Sequence, residues 1–154
     1  AKVETGPQTG LETEQAAQAA RGREMQRRVY SEIPADDPWL QMSQQQVFAQ
    51  IWTRPGLSMR DRRLISLTAA AYAASPPGYI SHIEGALDKG DLKPAELWEW
   101  LIHFTNYAGY PKAAPVWAEI RIALAKREDT RKRRAEAIAE AAARNESVVG
   151  GRPR

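Results

Sequence analysis

Proline and glycine punctuation cuts the middle of this chain into short segments, and within each one the apolar residues recur at helical spacing. Ile33-Pro34 closes a first segment, about Arg23 to Glu32, in which Met25 and Val29 stand at i, i+4, because the residue before a proline is pushed out of the helical region. Asp37-Pro38 reads as an N-cap followed by proline at the first helical position, with Leu40, Val47, Phe48 and Ile51 behind it to Trp52. Arg54-Pro55-Gly56 breaks the chain again, and Ser58 with Asp61 three residues on forms a capping-box pattern. The helix it opens carries Leu64, Ile65, Thr68, Ala71 and Tyr72, and Ser75-Pro76-Pro77-Gly78 stops it.

A helix from about Tyr79 to Lys89 ends at Gly90. Pro94 starts another through Leu97, Leu101, Phe104 and Ala108, closed by Gly109. Pro111 and Pro115 stand at the start of the next, which holds Trp117, Ile120 and Leu124; missing donors cost little there. No stretch alternates with period two over enough length to be a strand, so the expected fold class is all-α. The boundaries expected from this reading are a flexible N-terminal arm over 1–20, a helical domain over 21–127, and a charged helix and tail over 128–154. The arm is assigned on its Gln, Ala, Thr, Glu and Gly content, with only Val3 and Leu11 as branched apolar residues.

With 154 residues, one domain with a real core is expected. The chain has no cysteine, which removes disulfides, thiolate metal sites and thiol-based redox chemistry, and fits a cytoplasmic location. The first 21 residues lack the apolar core of a signal peptide, and no run is long enough to span a membrane. The formal charge is +3, but residues 121–154 carry a net +5 and residues 1–120 a net −2, so the basic character belongs to the tail. Arg131-Lys132-Arg133-Arg134 is a compact basic cluster; Glu128, Asp129, Glu136 and Glu140 flank it and no aromatic residue interleaves. The tail therefore reads as a solvated helix or a subunit clasp, and nucleic acid is not an expected partner.

Candidate chemistry centres on two histidines. His82 lies on the edge of an apolar stripe, three residues after Tyr79 and four before Ala86. His103 lies four after Glu99, the spacing that brings a carboxylate beside an imidazole. Each alone reads as structural, but on consecutive antiparallel helices the two could reach one cavity. No His-x3-His pair is present, so no metal is expected, and no cofactor. The serines lack a nucleophile elbow and the glycines form no phosphate loop. Arg60, Arg62 and Arg63 crowd the first turn of a helix, where cations oppose the dipole; they suit a solvated basic face, subunit salt bridges or an anion clamp.

Three runs together resemble the carboxymuconolactone decarboxylase family. They are Ile51-Trp52-Thr53-Arg54-Pro55-Gly56-Leu57-Ser58-Met59-Arg60-Asp61-Arg62-Arg63-Leu64-Ile65, then His82-Ile83-Glu84-Gly85-Ala86-Leu87-Asp88-Lys89-Gly90, then Glu96 through Pro111 with His103, Tyr107 and Gly109. They are in register over about 47–120, half the chain. The resemblance implies an alkylhydroperoxidase D-like helical domain with a central antiparallel hairpin, assembled as a homotrimer or homohexamer with pockets near subunit contacts. The Cys-x-x-Cys pair of the related hydroperoxidases falls on Ser75 and Gly78 and their relay glutamate on Arg63, which removes a thiol peroxidase.

What the resemblance further implies is a cofactor-free lyase of aromatic catabolism that decarboxylates a small carboxylated lactone. In that reading His82 is the general acid at an ordinary pKa of ~6.5, and His103, oriented by Glu99, is the second acid–base group. Arg60 anchors the substrate carboxylate, and Trp52 and Tyr107 supply wall and polar tip. Rival readings are another cofactor-free acid–base reaction (isomerisation, lactone hydrolysis or retro-aldol cleavage), a proton carried by Glu84 or Glu99, or a non-catalytic oligomeric binding protein.

Overall fold

The computed structural model describes residues 8–31 and 37–149, and the described residues contain helices and no strand. Helix α1 is Gln8–Val29, α2 is Pro38–Ser43, and α2 runs on into a π-helical segment, Gln44–Ile51. Then come α3 (Met59–Tyr72), α4 (Pro76–Lys89), α5 (Pro94–Ala108) and α6 (Tyr110–Val149).

Local chemistry sets most of these ends. The Asp37 side chain accepts the Leu40 N–H at 2.9 Å with Pro38 in the first turn. The Ser58 hydroxyl accepts the Asp61 N–H at 3.0 Å, while the Asp61 carboxylate accepts from the Ser58 N–H at 3.3 Å. Gly90, at φ 73°, ends α4 in the left-handed conformation that a side chain resists. Pro76 and Pro77 open α4 rather than merely stopping α3, since donors of a first helical turn have no intrahelical acceptor in any case. The turn between α3 and α4 is tight enough to hold Ala74 at φ 51°.

Two expectations are corrected. The segment read as an arm over 1–20 is helical from Gln8 onward, continuous with the short helix expected from Arg23; residues 1–7 lie outside the described residues. The run expected as one α-helix from Leu40 to Trp52 widens into π geometry, with the Trp52 N–H donating to the Val47 carbonyl five residues back at 3.0 Å.

The main core lies between α3, α4, α5 and α6 and includes Leu67, Ile83, Leu97, Leu101, Val116 and Ile120. A smaller apolar cluster, Val29, Phe48 and Trp52, lies where α1 meets the π-helical segment. Two glycines let backbones touch there. A Cβ on Gly22 would stand 2.2 Å from the Gln44 carbonyl oxygen, and one on Gly85 would stand 2.1 Å from that of Val29. Buried Gln44 donates to buried Gln26 at 2.8 Å across the first of these crossings. α1 is therefore docked, although its composition is polar.

α4 packs on α3, α6 and α1, and α5 packs on α6. The helical pair around the short Ala73–Ser75 turn is thus α3–α4, and the expected pairing of the His82 helix with the His103 helix is not the one that forms. α6 lines the core as far as Ala123; from Glu128 to Arg144 every residue is exposed.

Candidate functional site: a buried imidazole beside a buried arginine

His82 faces the smaller cluster from α4 and is 6% exposed. Its ring stacks on Trp52 with centroids 5.9 Å apart and planes 12° from parallel. Tyr30, just past α1, meets it edge-on at 5.4 Å, and the same tyrosine meets Phe48 at 5.4 Å. Two sides of the imidazole are therefore covered by aromatic rings.

Another side is cationic. His82 Nδ1 lies 3.2 Å from Nη1 of Arg63, which is completely buried on α3. A guanidinium only donates, so Nδ1 accepts and the ring proton resides on Nε2. Nε2 makes no hydrogen bond to any described residue. Burial, and then the Arg63 charge, push the His82 pKa down to about 4, so the ring is neutral at pH 7.

Asp91 organises the charge behind the ring. It accepts from Arg63 at 2.9 Å and from Arg28 at 2.7 Å, and its side chain is almost wholly buried. Burial opposes its ionisation, but the bonds from Arg28 and Arg63 hold its pKa below the usual carboxylate value. Burial likewise lowers Arg63 and raises Tyr30, which the Arg63 charge partly counters. Two guanidiniums share one carboxylate, leaving a positive surplus beside a neutral imidazole, and Arg63 Nε is buried without a partner. Arg63 also stands over the Trp52 ring, 5.7 Å from its centroid.

The sequence-derived site residues separate into groups. Trp52 and His82 meet as expected. His103, Glu99 and Tyr107 lie on the exposed face of α5, where the His103 and Tyr107 ring centroids are 5.0 Å apart and Glu99 makes no hydrogen bond to the imidazole. Arg60 is exposed at the start of α3 and pairs with Glu96 at 2.9 Å, so its guanidinium is engaged away from the imidazole. One chain does not bring the two histidines into one cavity. The expected ordinary acidity of His82 is corrected as well, because the ring is buried against a cation.

Sequence reasoning missed Arg63, Asp91, Arg28 and Tyr30. The Arg60, Arg62 and Arg63 cluster was the available signal, but the three environments differ. Arg60 is exposed, Arg62 donates to the Arg54 carbonyl at 2.6 Å, and Arg63 is the buried one.

Apart from this site, α5 is flanked by two apolar grooves. One, of about 560 Å³ against α3, is lined by Leu64, Ile65, Tyr72, Phe104 and Tyr107. The other, of about 580 Å³ against α6, is lined by Leu101, Ile102, Tyr110, Ala113 and Trp117. Neither is lined by an imidazole. Among the described residues no three acidic or imidazole groups converge as metal ligands, and no helix is long and apolar enough to cross a membrane.

Comparison with protein-family models and with curated proteins found no match to this chain.

Proposed function

We propose that this chain is a cofactor-independent, carboxymuconolactone decarboxylase-like lyase of aromatic catabolism. It acts on a small carboxylated lactone or related ring-cleavage product in the cytoplasm and works as a homotrimer or homohexamer. The observation that supports this most is the neutral, buried His82, held by Arg63 in the tautomer that leaves Nε2–H free to donate.

Loss of carbon dioxide moves the electrons of the breaking bond into a conjugated carbonyl, negative charge grows on its oxygen, and the dienolate so formed then takes one proton at carbon from solvent. The Nε2–H of a neutral imidazole is a pre-set donor to that oxygen, and the surplus charge of Arg28, Arg63 and Asp91 favours it electrostatically. In this reading His82 is an electrophilic hydrogen-bond donor rather than an imidazolium acid. Trp52 provides the apolar wall that desolvates the departing carboxylate. The oligomer reading draws on Ile65, Tyr72, Ile102, Tyr107, Tyr110 and Trp117, large side chains left exposed around α5. In such an assembly His103, Glu99 and Tyr107 would belong to a subunit contact.

The test is turnover of 4-carboxymuconolactone by the full chain, its His82→Ala variant and its Glu84→Gln and Glu99→Gln variants. His82→Ala is expected to lose ~10²–10³-fold in kcat, the size of losing one such donor, with the carboxylate variants near wild type. Activity should stay flat from pH 8 down to about 5, since the neutral ring is the active form. No turnover by the wild type, or a His82→Ala variant as fast as wild type, would overturn the proposal. The separation of His82 from His103 favours one second reading, a non-catalytic oligomeric binding protein.

A further inference from the structure

Where α6 leaves the body, a groove of about 390 Å³ opens between α4 and α6. Its lining carries four cations, Lys126, Arg127, Arg131 and Arg134, against two carboxylates, Glu84 and Asp88. Both carboxylates are already engaged. Lys126 lies 3.7 Å from Glu84, while Asp88 is bound by Arg127 and by the Ser31 hydroxyl. Arg127 is locked in place, donating also to the carbonyls of Ala123 at 3.0 Å and Glu84 at 2.9 Å.

Arg131 and Arg134 then face the groove with no hydrogen bond or ion pair to any described residue. They stand three apart on α6, and Arg127 is one turn earlier on the same face. The basic cluster seen in the sequence is thereby split by the helix. Arg133 turns away and pairs with Asp129 at 2.8 Å, and neither it nor Lys132 lines the groove.

We infer that this groove is a binding site for a small phosphate-bearing anion, clamped by Arg131 and Arg134 with Arg127 as its floor. Two unpaired guanidiniums converging on a concave surface match the oxygens of a phosphate group, each fork offering parallel donors. A groove of this volume suits a small molecule rather than a chain of nucleotides, and no aromatic side chain lines it for base stacking.

The experiment is a calorimetric titration of the full chain, at low ionic strength, with inorganic phosphate and with pyrophosphate. Saturable binding of pyrophosphate at one site per chain is expected. Arg131→Gln/Arg134→Gln should weaken it about tenfold or more, which is ~1.4 kcal/mol or more. Lys132→Gln/Arg133→Gln removes the same formal charge from the outward side and should change it less than about twofold. Both pairs lie on an exposed helical stretch, and Gln is a good helix former, so circular dichroism should be unchanged. If it is not, Arg131→Lys/Arg134→Lys, which keeps the charge and loses the fork, is expected to bind at an intermediate strength. The inference is overturned by no saturable binding of either probe, by equal weakening in the two Gln pairs, by lysine replacements that bind as well as wild type, or by binding of oligothymidylate without pyrophosphate.

Discussion

Arg63 donates to His82 across 3.2 Å with both side chains buried, so a permanent cation sits against a titratable ring that water scarcely reaches. This contact fixes which ring nitrogen carries the proton, and burial together with the Arg63 charge keeps a second proton off.

Acid should therefore destabilise the fold through His82. Its folded pKa is about 4 against an ordinary 6.5, so the unfolded chain binds the extra proton first. Stability contributed by the neutral ring is fully present above about pH 6.5 and is lost progressively as pH falls toward 4. The depression corresponds to roughly 3 kcal/mol. Asp91, whose pKa is also lowered, adds a loss only below its unfolded value of ~3.9. Urea midpoints at pH 7.5, 6, 5 and 4.5 should fall in that order, and His82→Gln should flatten the dependence.

Asp91→Asn should cost about 3–5 kcal/mol, because it strands the fully buried Arg63 charge. Arg28→Gln, which removes the half-exposed partner of the same carboxylate, should cost less than about 1 kcal/mol. Equal losses in urea denaturation would show that Asp91 is not the buried counter-ion.

Gly85→Ala should cost about 2–3 kcal/mol, since the new methyl meets a backbone carbonyl that cannot rotate away. At Gly56, with nothing within 4 Å of the same position, alanine should be neutral within about 0.5 kcal/mol. Thermal melts of the two variants side by side make the comparison.

The α5 face supplies a test of assembly. Sedimentation should report a trimer or hexamer at micromolar concentration, and Ile102→Glu with Tyr107→Glu should shift it toward monomer. These side chains are 65% and 77% exposed in the single chain, so their replacement should leave the subunit fold intact. A monomeric wild type would count against the oligomer outright.

Much of the helical order was legible because its causes are local. Asp37, Ser58 with Asp61, and Gly90 act within one turn of themselves, and each acts as read. The π-helical segment was not legible, since Val47, Phe48 and Ile51 satisfy helical spacing whether the ladder closes over four residues or five. α1 was missed because its anchoring relies on Gly22 against Gln44 and on the Gln26–Gln44 bond, which no composition argument detects. Of the candidate site, only the meeting of Trp52 and His82 was foreseen. The burial of Arg63 depends on Asp91, 28 residues further on, and His103 points outward because α5 packs on α6 rather than on α4.

The close crossing of α1 over Gly85 makes α1 part of the surroundings of His82. α1 and the residue after it bring Arg28 to Asp91, Val29 to Gly85 and Tyr30 to the imidazole, so detaching this one helix would strip the ring of an aromatic wall and leave Asp91 to a single arginine. Water would then reach His82, and its proton affinity would climb back toward that of a free histidine. The acidity of one side chain is in this way a gauge of how firmly the N-terminal helix is seated.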